Sequence, residues 1–153
     1  MELVEAMQHK EDYLKLTTVL FRTMQNVETV IKNDILSYQL NTSEFGTLEL
    51  LYNRGAQPMQ SMASRLLMAN SSMTYVIDKL EKKEMIVRKQ DEVDKRSIMV
   101  ELTEKGRKFF DSIFPHHVET LKKIYSELSE EELKFLIKTL KKVGYKAKEL
   151  HGG

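Results

Sequence analysis

The apolar residues of this 153-residue chain recur mostly at intervals of three or four positions, which is the spacing of one helix face. In the first such segment, about residues 8–39, that face carries Leu20, Met24, Val27, Ile31, Ile35 and Tyr38. A helix of about 30 residues is about 45 Å long, which is longer than a small core can cover. We therefore expect part of this helix to pack against another chain.

Three shorter segments with helical spacing follow, separated by short connections. Residues 41–43 supply capping side chains before the first of them, and Glu44 lies in its first turn, where the helix dipole favours an acid. We expect that helix to end at residues 53–55, the second to begin after Pro58, and the third to be capped by residues 70–72. The last two segments predict a helix-turn-helix.

The hydrophobic period changes after Glu84. Residues 86–90 have the composition of a strand, and the apolar residues in 97–102 alternate between two faces, as in a strand. Residues 91–96 between them are polar and charged. Two short strands around a charged tip, directly after a helix-turn-helix, predict a β-hairpin wing.

Helical spacing returns at the C-terminal end. Thr103 caps the next helix, and Pro115 within it removes a backbone donor, so we expect a kink or a short break there. Ser129, followed by three glutamates, forms a capping box at the start of the last helix. Gly144 is expected to mark a frayed end before a basic tail.

The order of these elements predicts a mainly α (α+β) fold in a single domain over residues 1–153. A winged helix-turn-helix DNA-binding core is expected at residues 42–103. The flanking helices, at 8–39 and 104–149, carry more apolar surface than this core can cover. Such an excess indicates a symmetric interface between two copies, so we expect both regions to be dimerisation helices.

Composition limits the chemistry available to the chain. The formal charges nearly cancel, with 24 basic and 23 acidic residues and a net charge of +1, so DNA binding requires basic groups gathered on one face. The absence of cysteine excludes disulfides, zinc–thiolate sites and cysteine-based redox sensing. No signal peptide or membrane span is visible in the sequence. We expect a cytoplasmic protein with no cofactor and no membrane partner.

The third short helix has an outward face suited to a recognition helix. Short hydroxyls at its N-terminal end can contact base edges and phosphates without blocking entry to the major groove. The alternative interpretation is that this face is only solvent-exposed and that its hydroxyls only cap the helix, because such a face has the same composition. The candidate DNA-binding residues on this helix are Ser71, Ser72, Thr74, Tyr75 and Lys79.

The tip of the hairpin favours DNA binding over a plain solvated loop. Lys95 and Arg96 lie beside Asp94, directly after the candidate recognition helix. An arginine at a wing tip can enter a narrow minor groove, where the negative potential is strongest. We expect Asp94 to hold the Arg96 guanidinium through a bidentate pair.

Several of these motifs together resemble the MarR family of transcriptional regulators. The resemblance rests on residues 71–83, on the wing sequence 91–96 and on 102–106, and it covers nearly the whole chain. The similarity to the quinone-responsive, MhqR-like branch is greatest at residues 40–45, 49–52, 114–116 and 128–132. The resemblance implies a homodimeric repressor on double-stranded DNA, with wings in the minor groove, released by a small phenolic or quinone-like ligand.

Two positions depart from the family pattern. Tyr75 stands where the family often has arginine or lysine, which affects a phosphate or base contact. Glu84 stands at a helix end where the family usually has glycine, the residue that most easily adopts left-handed geometry.

Candidate effector and metal sites are less specific. We place an effector pocket between the first helix, the helix that contains Phe45 and the DNA-binding core, with Met24, Phe45 and Tyr52 as lining candidates. The helical spacing of the methionines favours plain core packing. His116 and His117 suggest a metal site, but adjacent helical residues point about 100° apart, so exposed or interface histidines are favoured.

Two other function classes remain open from the residues alone. A winged-helix module that binds protein without contacting DNA is compatible with the near-neutral charge, although such a groove would sooner expose apolar anchors than wing cations. An enzyme is disfavoured, because the sequence contains no Gly-rich phosphate loop and no nucleophile–base–acid spacing.

Overall fold

The computed structural model describes residues 1–66 and 72–152. The candidate DNA contact Ser71 lies outside the described residues. The fold is mainly helical with one small sheet, as the sequence predicts. Its elements are α1 (Glu2–Gln8), α2 (Lys10–Leu36), α3 (Thr42–Arg54), β1 (Gln57–Pro58), a 3₁₀ turn (Met59–Ser61), α4 (Met62–Arg65), α5 (Met73–Lys82), β2 (Ile86–Gln90), β3 (Ile98–Leu102), α6 (Glu104–Ile124) and α7 (Glu130–Leu150).

The sheet is antiparallel with the order β1-β3-β2. The predicted hairpin forms, with Ile86 opposite Leu102 and Gln90 opposite Ile98. Strand β1 is an addition that periodicity did not predict, because two residues are too few to show alternation. Its Pro58 is tolerated because β1 lies at the edge of the sheet, where a missing backbone donor costs little.

Helix α3 lies at the centre of the hydrophobic core. Its predicted cap is confirmed: the Asn41 side chain accepts the Glu44 backbone N–H at 2.8 Å, and the Glu44 carboxylate accepts the Asn41 backbone N–H at 3.1 Å. It ends at Arg54, as predicted, before Gly55 at φ 75°. The fully enclosed apolar residues of the core are Leu48, Leu51, Met62, Val76, Ile77, Leu80, Ile86, Val100 and Phe110.

The junction between α5, β2 and α6 depends on one close backbone approach. Glu84 adopts φ 63°, the left-handed geometry expected at this position, so the residue that departs from the family pattern keeps the turn. The Met85 N–H then donates to the Leu80 carbonyl at 3.0 Å, and the Met85 carbonyl accepts the Thr103 N–H at 3.0 Å. A Cβ on Gly106 would lie 2.0 Å from that carbonyl oxygen. Only glycine fits at the first turn of α6.

The chain divides into two compact units, Met1–His117 and Val118–Gly153. Thr103 caps α6 as predicted, because its hydroxyl oxygen accepts the Gly106 N–H at 3.0 Å. Of the two outcomes expected at Pro115, a kink or a short break, the break is wrong: α6 is helical from Glu104 to Ile124, since a proline removes a single donor and the turns on either side continue.

In the second unit, α7 begins with the predicted capping box. The Ser129 hydroxyl accepts the Glu132 backbone N–H, and the Glu132 carboxylate accepts the Ser129 backbone N–H, both at 3.1 Å. These hydrogen bonds from Ser129 lower the pKa of the Glu132 carboxyl. The expected end at Gly144 is wrong, because α7 extends to Leu150. One glycine weakens a helix by only about 1 kcal/mol, which the helix formers around it offset.

Candidate nucleic-acid interface

Helix α5 buries one face and exposes the other. Val76, Ile77 and Leu80 are buried in the core. Among the sequence candidates, Ser72, Thr74 and Tyr75 are exposed and Lys79 is half-buried. The structure therefore brings the described recognition-helix candidates together on the surface of α5.

Ser72 occupies the N-cap position of α5, as the sequence predicts for residues 70–72. Among the described residues, its hydroxyl makes no capping hydrogen bond to the helix. The Ser72 carbonyl instead accepts the Val76 N–H at 3.1 Å. Tyr75, one turn into the helix, has 63% of its surface exposed. Among the described residues, Ser72 and Tyr75 are therefore both exposed at the N-terminal end of the helix.

Charged pairs attach α5 to the wing. Arg88 on β2 forms an ion pair with Asp78, and its Nε lies 3.6 Å from Glu81 Oε2. The Arg88 backbone N–H also donates to Glu81 Oε2 at 3.3 Å. Sequence reasoning missed Arg88 as a positioning residue because it lies ten positions after Asp78. Its role depends on how β2 folds back beside α5.

Lys79 is also engaged within the protein. Its Nζ lies 3.5 Å from Oε1 of the buried Glu44, and Lys83 donates to Oε2 of the same carboxylate at 3.2 Å. The sequence placed Lys79 among the DNA-binding candidates and gave no sign of this carboxylate. A phosphate that contacts Lys79 would compete with the Glu44 carboxylate for the positive charge of Lys79.

The wing tip is organised by two aspartates. The Asp91 backbone N–H donates to the Ser97 carbonyl, and the Ser97 backbone N–H donates to the Asp94 carbonyl, both at 2.9 Å. Asp94 Oδ1 accepts the Arg96 backbone N–H at 3.1 Å and its Nε–H at 3.2 Å. The expected bidentate pair is therefore replaced by a single carboxylate oxygen that orients both the backbone and the side chain.

Arg96 is oriented without being covered. Its side chain is 93% exposed despite the ion pair with Asp94. The Lys95 carbonyl accepts a hydrogen bond from Gln90 Nε2 at 2.6 Å, which fixes the backbone before it. The wing thus presents both cations at an ordered tip.

A cleft of about 260 Å³ lies between the start of α5 and the wing. It brings Thr74 and Arg96, two of the sequence candidates, to one surface. Its other lining residues are Met59, Gln60, Met73 and Ile98.

The effector candidates are only partly brought together. Phe45 is buried, and its ring centroid lies 5.4 Å from that of Phe110, while the Tyr52 ring lies 4.8 Å from Phe110. The Tyr52 hydroxyl donates to Asp111 Oδ1 at 2.5 Å, and this bond raises the pKa of Tyr52. Met24 is mostly exposed on α2. Sequence reasoning missed the central position of Phe110 in this aromatic cluster.

His117 belongs to a buried polar cluster that sequence reasoning missed. Its Nδ1 lies 2.8 Å from Asp34 Oδ2, and the Tyr38 hydroxyl donates to Asp34 Oδ1 at 2.8 Å. Burial and the bond to Asp34 raise the pKa of Tyr38. Burial also raises the pKa of Glu49, against the opposing effect of His117.

Among the described residues, no group of three or more acidic or histidine side chains is placed to hold a metal ion.

Comparison with known proteins identifies the family. A model of the MarR family matches residues 40–98. The HTH-type transcriptional regulator MhqR of Bacillus subtilis is 41% identical over 141 residues, which cover 92% of this chain and 97% of that protein. The chain belongs to the MarR family. It is a DNA-binding transcriptional regulator and not an enzyme.

Solved MarR-family structures share the fold. A mutant of MarR from Escherichia coli complexed with operator DNA has a TM-score of 0.71 at 19% identity, covering 86% of this chain and 95% of that chain. BpsR of Bordetella bronchiseptica, whose DNA binding is regulated by 6-hydroxynicotinic acid, has a TM-score of 0.71 at 20% identity, covering 84% of this chain and 91% of that chain.

The alternative of a winged-helix module that binds protein without contacting DNA is not favoured, because the matched relatives are helix-turn-helix regulators.

No helix within the described ranges 1–66 and 72–152 has the length and apolar character needed to cross a membrane.

Proposed function

We propose that this MarR-family regulator is a cytoplasmic homodimeric repressor that binds an imperfect palindrome and is released by a small phenolic or quinone-like ligand. The observation that carries the DNA-binding geometry is the exposed face of α5 beside an ordered, cationic wing tip. In a two-fold dimer the two recognition helices would lie one DNA turn apart, about 34 Å. Each would enter the major groove of one half-site.

Two kinds of DNA contact are proposed for α5, one made by hydroxyl groups and one by a lysine. Ser72, Thr74 and Tyr75 are exposed at the N-terminal end of α5. Their hydroxyl groups can donate hydrogen bonds to phosphate oxygens and to acceptors on base edges. Ser71 joins them on the sequence evidence alone. Lys79 is a phosphate contact weakened by its ion pair with Glu44. Each of these residues is a separate target for substitution.

The wing supplies a second contact. Arg96 enters the minor groove, and Asp94 fixes its direction through one carboxylate oxygen. Lys95 adds charge at the flanking phosphates. The 93% exposure of the Arg96 side chain supports this role, because the side chain can reach DNA without any rearrangement of the core.

Dimerisation is supported by apolar side chains that their own chain leaves exposed. Helix α2 exposes Leu14, Leu16, Val19 and Phe21, and α7 exposes Ile137 and Val143. Apolar surface of this kind on helices that flank a DNA-binding core is suited to a partner copy.

The effector site is proposed near Phe45 and Tyr52, with Met24 at its edge. Aromatic rings and a phenolic hydroxyl suit a small hydroxylated aromatic ligand. Because Phe45 is buried, ligand entry requires its ring to move. Because Met24 is mostly exposed, it would border an enclosed site only when a partner chain covers α2. Regulation of BpsR DNA binding by 6-hydroxynicotinic acid, a hydroxylated aromatic acid, supports this ligand class.

Selection from random-sequence duplex DNA at two salt concentrations tests the operator proposal. The expected result is an inverted repeat bound with steep salt dependence. Arg96→Ala should weaken binding to that duplex by about 1–3 kcal/mol and reduce its salt slope by about 1. Lys108→Ala on α6, which removes a cation paired with Glu104, is the matched control. Equal affinity and equal slope for both variants would remove the wing from the proposal.

Ligand release is tested on the same duplex. Phenols and quinones are added one at a time, and both DNA release and the melting temperature of the free protein are measured. A ligand of this class should raise the melting temperature and dissociate the complex. A flat response in both measurements across the panel would refute the effector class while leaving the operator result standing.

A further inference from the structure

Glu44 carries a buried charge at the first turn of α3, with 2% of its surface exposed. A buried carboxylate is costly unless it is paired and hydrogen-bonded. Its Oε1 accepts the Asn41 N–H at 3.1 Å and lies 3.5 Å from Lys79 Nζ, and its Oε2 accepts from Lys83 Nζ at 3.2 Å. We name these four residues the Glu44 cluster. It joins the start of α3 to the second half of α5 and to Lys83, the C-cap residue of α5.

The cluster contains more than a helix cap. A capping box needs only the bond from Oε1 to the Asn41 N–H, whereas here the second oxygen is used for Lys83. Lys79 and Lys83 are four residues apart and therefore lie on one side of α5, one turn after the other. Their side chains remain 41% and 37% exposed, so both lysines also lie at the protein surface.

A second attachment of α5 is also made by charged pairs. Arg88 on β2 contacts Asp78 and Glu81. Helix α5 is therefore held from α3 through its lysines and from β2 through its acids, while its apolar face rests on the core. Removing the charge of Glu44 releases one of these attachments and leaves the apolar packing unchanged.

We propose that Glu44 is a positioning and specificity-determining residue for DNA recognition. It fixes the direction of α5, and it neutralises two lysines that would otherwise add sequence-independent attraction to phosphates. The proposal rests on the proposed role of α5 as the DNA-contacting helix. Base contacts depend on the direction of the helix, whereas phosphate attraction depends mainly on the number of available cations. Glu44 therefore raises specific binding relative to non-specific binding.

Glu44→Gln tests the proposal because the amide keeps the size of the side chain and an acceptor for the Asn41 N–H. The probes are the duplex that the wild-type protein selects from a random pool and the random pool itself. The ratio of the two affinities should fall by about tenfold. The slope of log affinity against log salt for the random pool should steepen by roughly one for each lysine released.

Two further variants separate this role from general charge or stability. Glu130→Gln removes an exposed acid paired with Lys134 on α7, so it makes the same charge change outside the Glu44 cluster and should leave both measurements at wild-type values. Lys79→Gln should change the random-pool slope little in the wild type and should reverse part of the steepening in Glu44→Gln. That non-additivity is the signature of a lysine neutralised by Glu44.

The opposite results are equally distinct. If Glu44→Gln lowers the melting temperature and leaves both the affinity ratio and the random-pool slope unchanged, Glu44 is only a helix cap and the proposal is overturned. If the wild-type protein selects no sequence, the palindromic operator proposal fails. The random-pool slopes of Glu44→Gln and Glu130→Gln then still decide whether Glu44 neutralises the lysines.

Discussion

Helices α2 and α3 both have amphipathic sequences, but their surroundings differ. Six of the 13 residues of α3 are buried, whereas Ile35 is the single buried residue among the 27 of α2. In α3 the apolar side chains meet α5, the sheet and Phe110 within the same chain. In α2 they remain exposed over most of the helix, as Phe21 with 61% exposure illustrates.

This difference teaches that helical spacing identifies an apolar face without identifying its partner. The face of α3 is satisfied by the chain that carries it. The face of α2 needs something further, and the proposed second copy would supply it. The two helices should therefore respond differently to substitution: α2 through association, and α3 through the stability of the folded chain.

Phe21→Ser is expected to have the largest effect. Covering a phenylalanine contributes about 1.5–3 kcal/mol, and a two-fold interface counts it twice, so the dimer should lose about 3–6 kcal/mol. Sedimentation equilibrium should show monomer at concentrations where the wild type is dimeric. Arg22→Ser at the next position, on another face of α2, is the control. Wild-type association of both variants would exclude this part of α2 from the interface.

Gly106→Ala should destabilise the fold itself. The added Cβ meets the Met85 carbonyl oxygen at 2.0 Å, so backbone must move against backbone. We expect a loss of about 3 kcal/mol in the free energy of unfolding, measured by urea denaturation. Gly46→Ala makes the same change in α3, where the nearest atom among the described residues is Leu66 Cδ2 at 3.7 Å, and should gain stability. Similar results for the two variants would contradict the close approach.

Asn41→Ala compares two caps of the same design. Losing the bond from the Glu44 N–H should cost about 1 kcal/mol, and it should appear in the cooperative unfolding of the chain because α3 lies in the core. Ser129→Ala removes the corresponding cap of α7, where no residue of the helix is buried in its own chain. That variant should mainly reduce helicity measured by circular dichroism. Equal losses of cooperative stability would contradict the distinction.

Glu49→Gln is expected to have the smallest effect, and its sign depends on pH. Burial raises the pKa of Glu49, so the folded state binds its proton more tightly than the unfolded chain does. Stability then falls as the pH rises from about 4.3, the unfolded value, through the folded value. The amide removes this cost, so the variant should unfold at higher urea concentration at neutral pH. The advantage should disappear at low pH; an advantage that persists there would have another cause.

The functional surface was predictable where it depends on neighbours in sequence. The wing cations Lys95 and Arg96 lie within a local turn that Asp94 orders, and the hydroxyls of α5 lie opposite its apolar residues. The charge partner of Lys79 was not predictable, because Glu44 lies 35 positions earlier and its carboxylate is enclosed only after α3 packs against α5.

The sequence by itself determined the local elements of this protein: the apolar faces, the caps at Asn41 and Ser129, and the charged wing. These features depend on helix or strand periodicity and on hydrogen bonds across three residues. Tertiary structure alone decided which faces are covered and which charges are paired, as at His117 and Asp34, 83 residues apart. Burial and charge pairing depend on contacts between segments that are distant in sequence. The spacing of residues along the sequence does not show which of these segments come into contact.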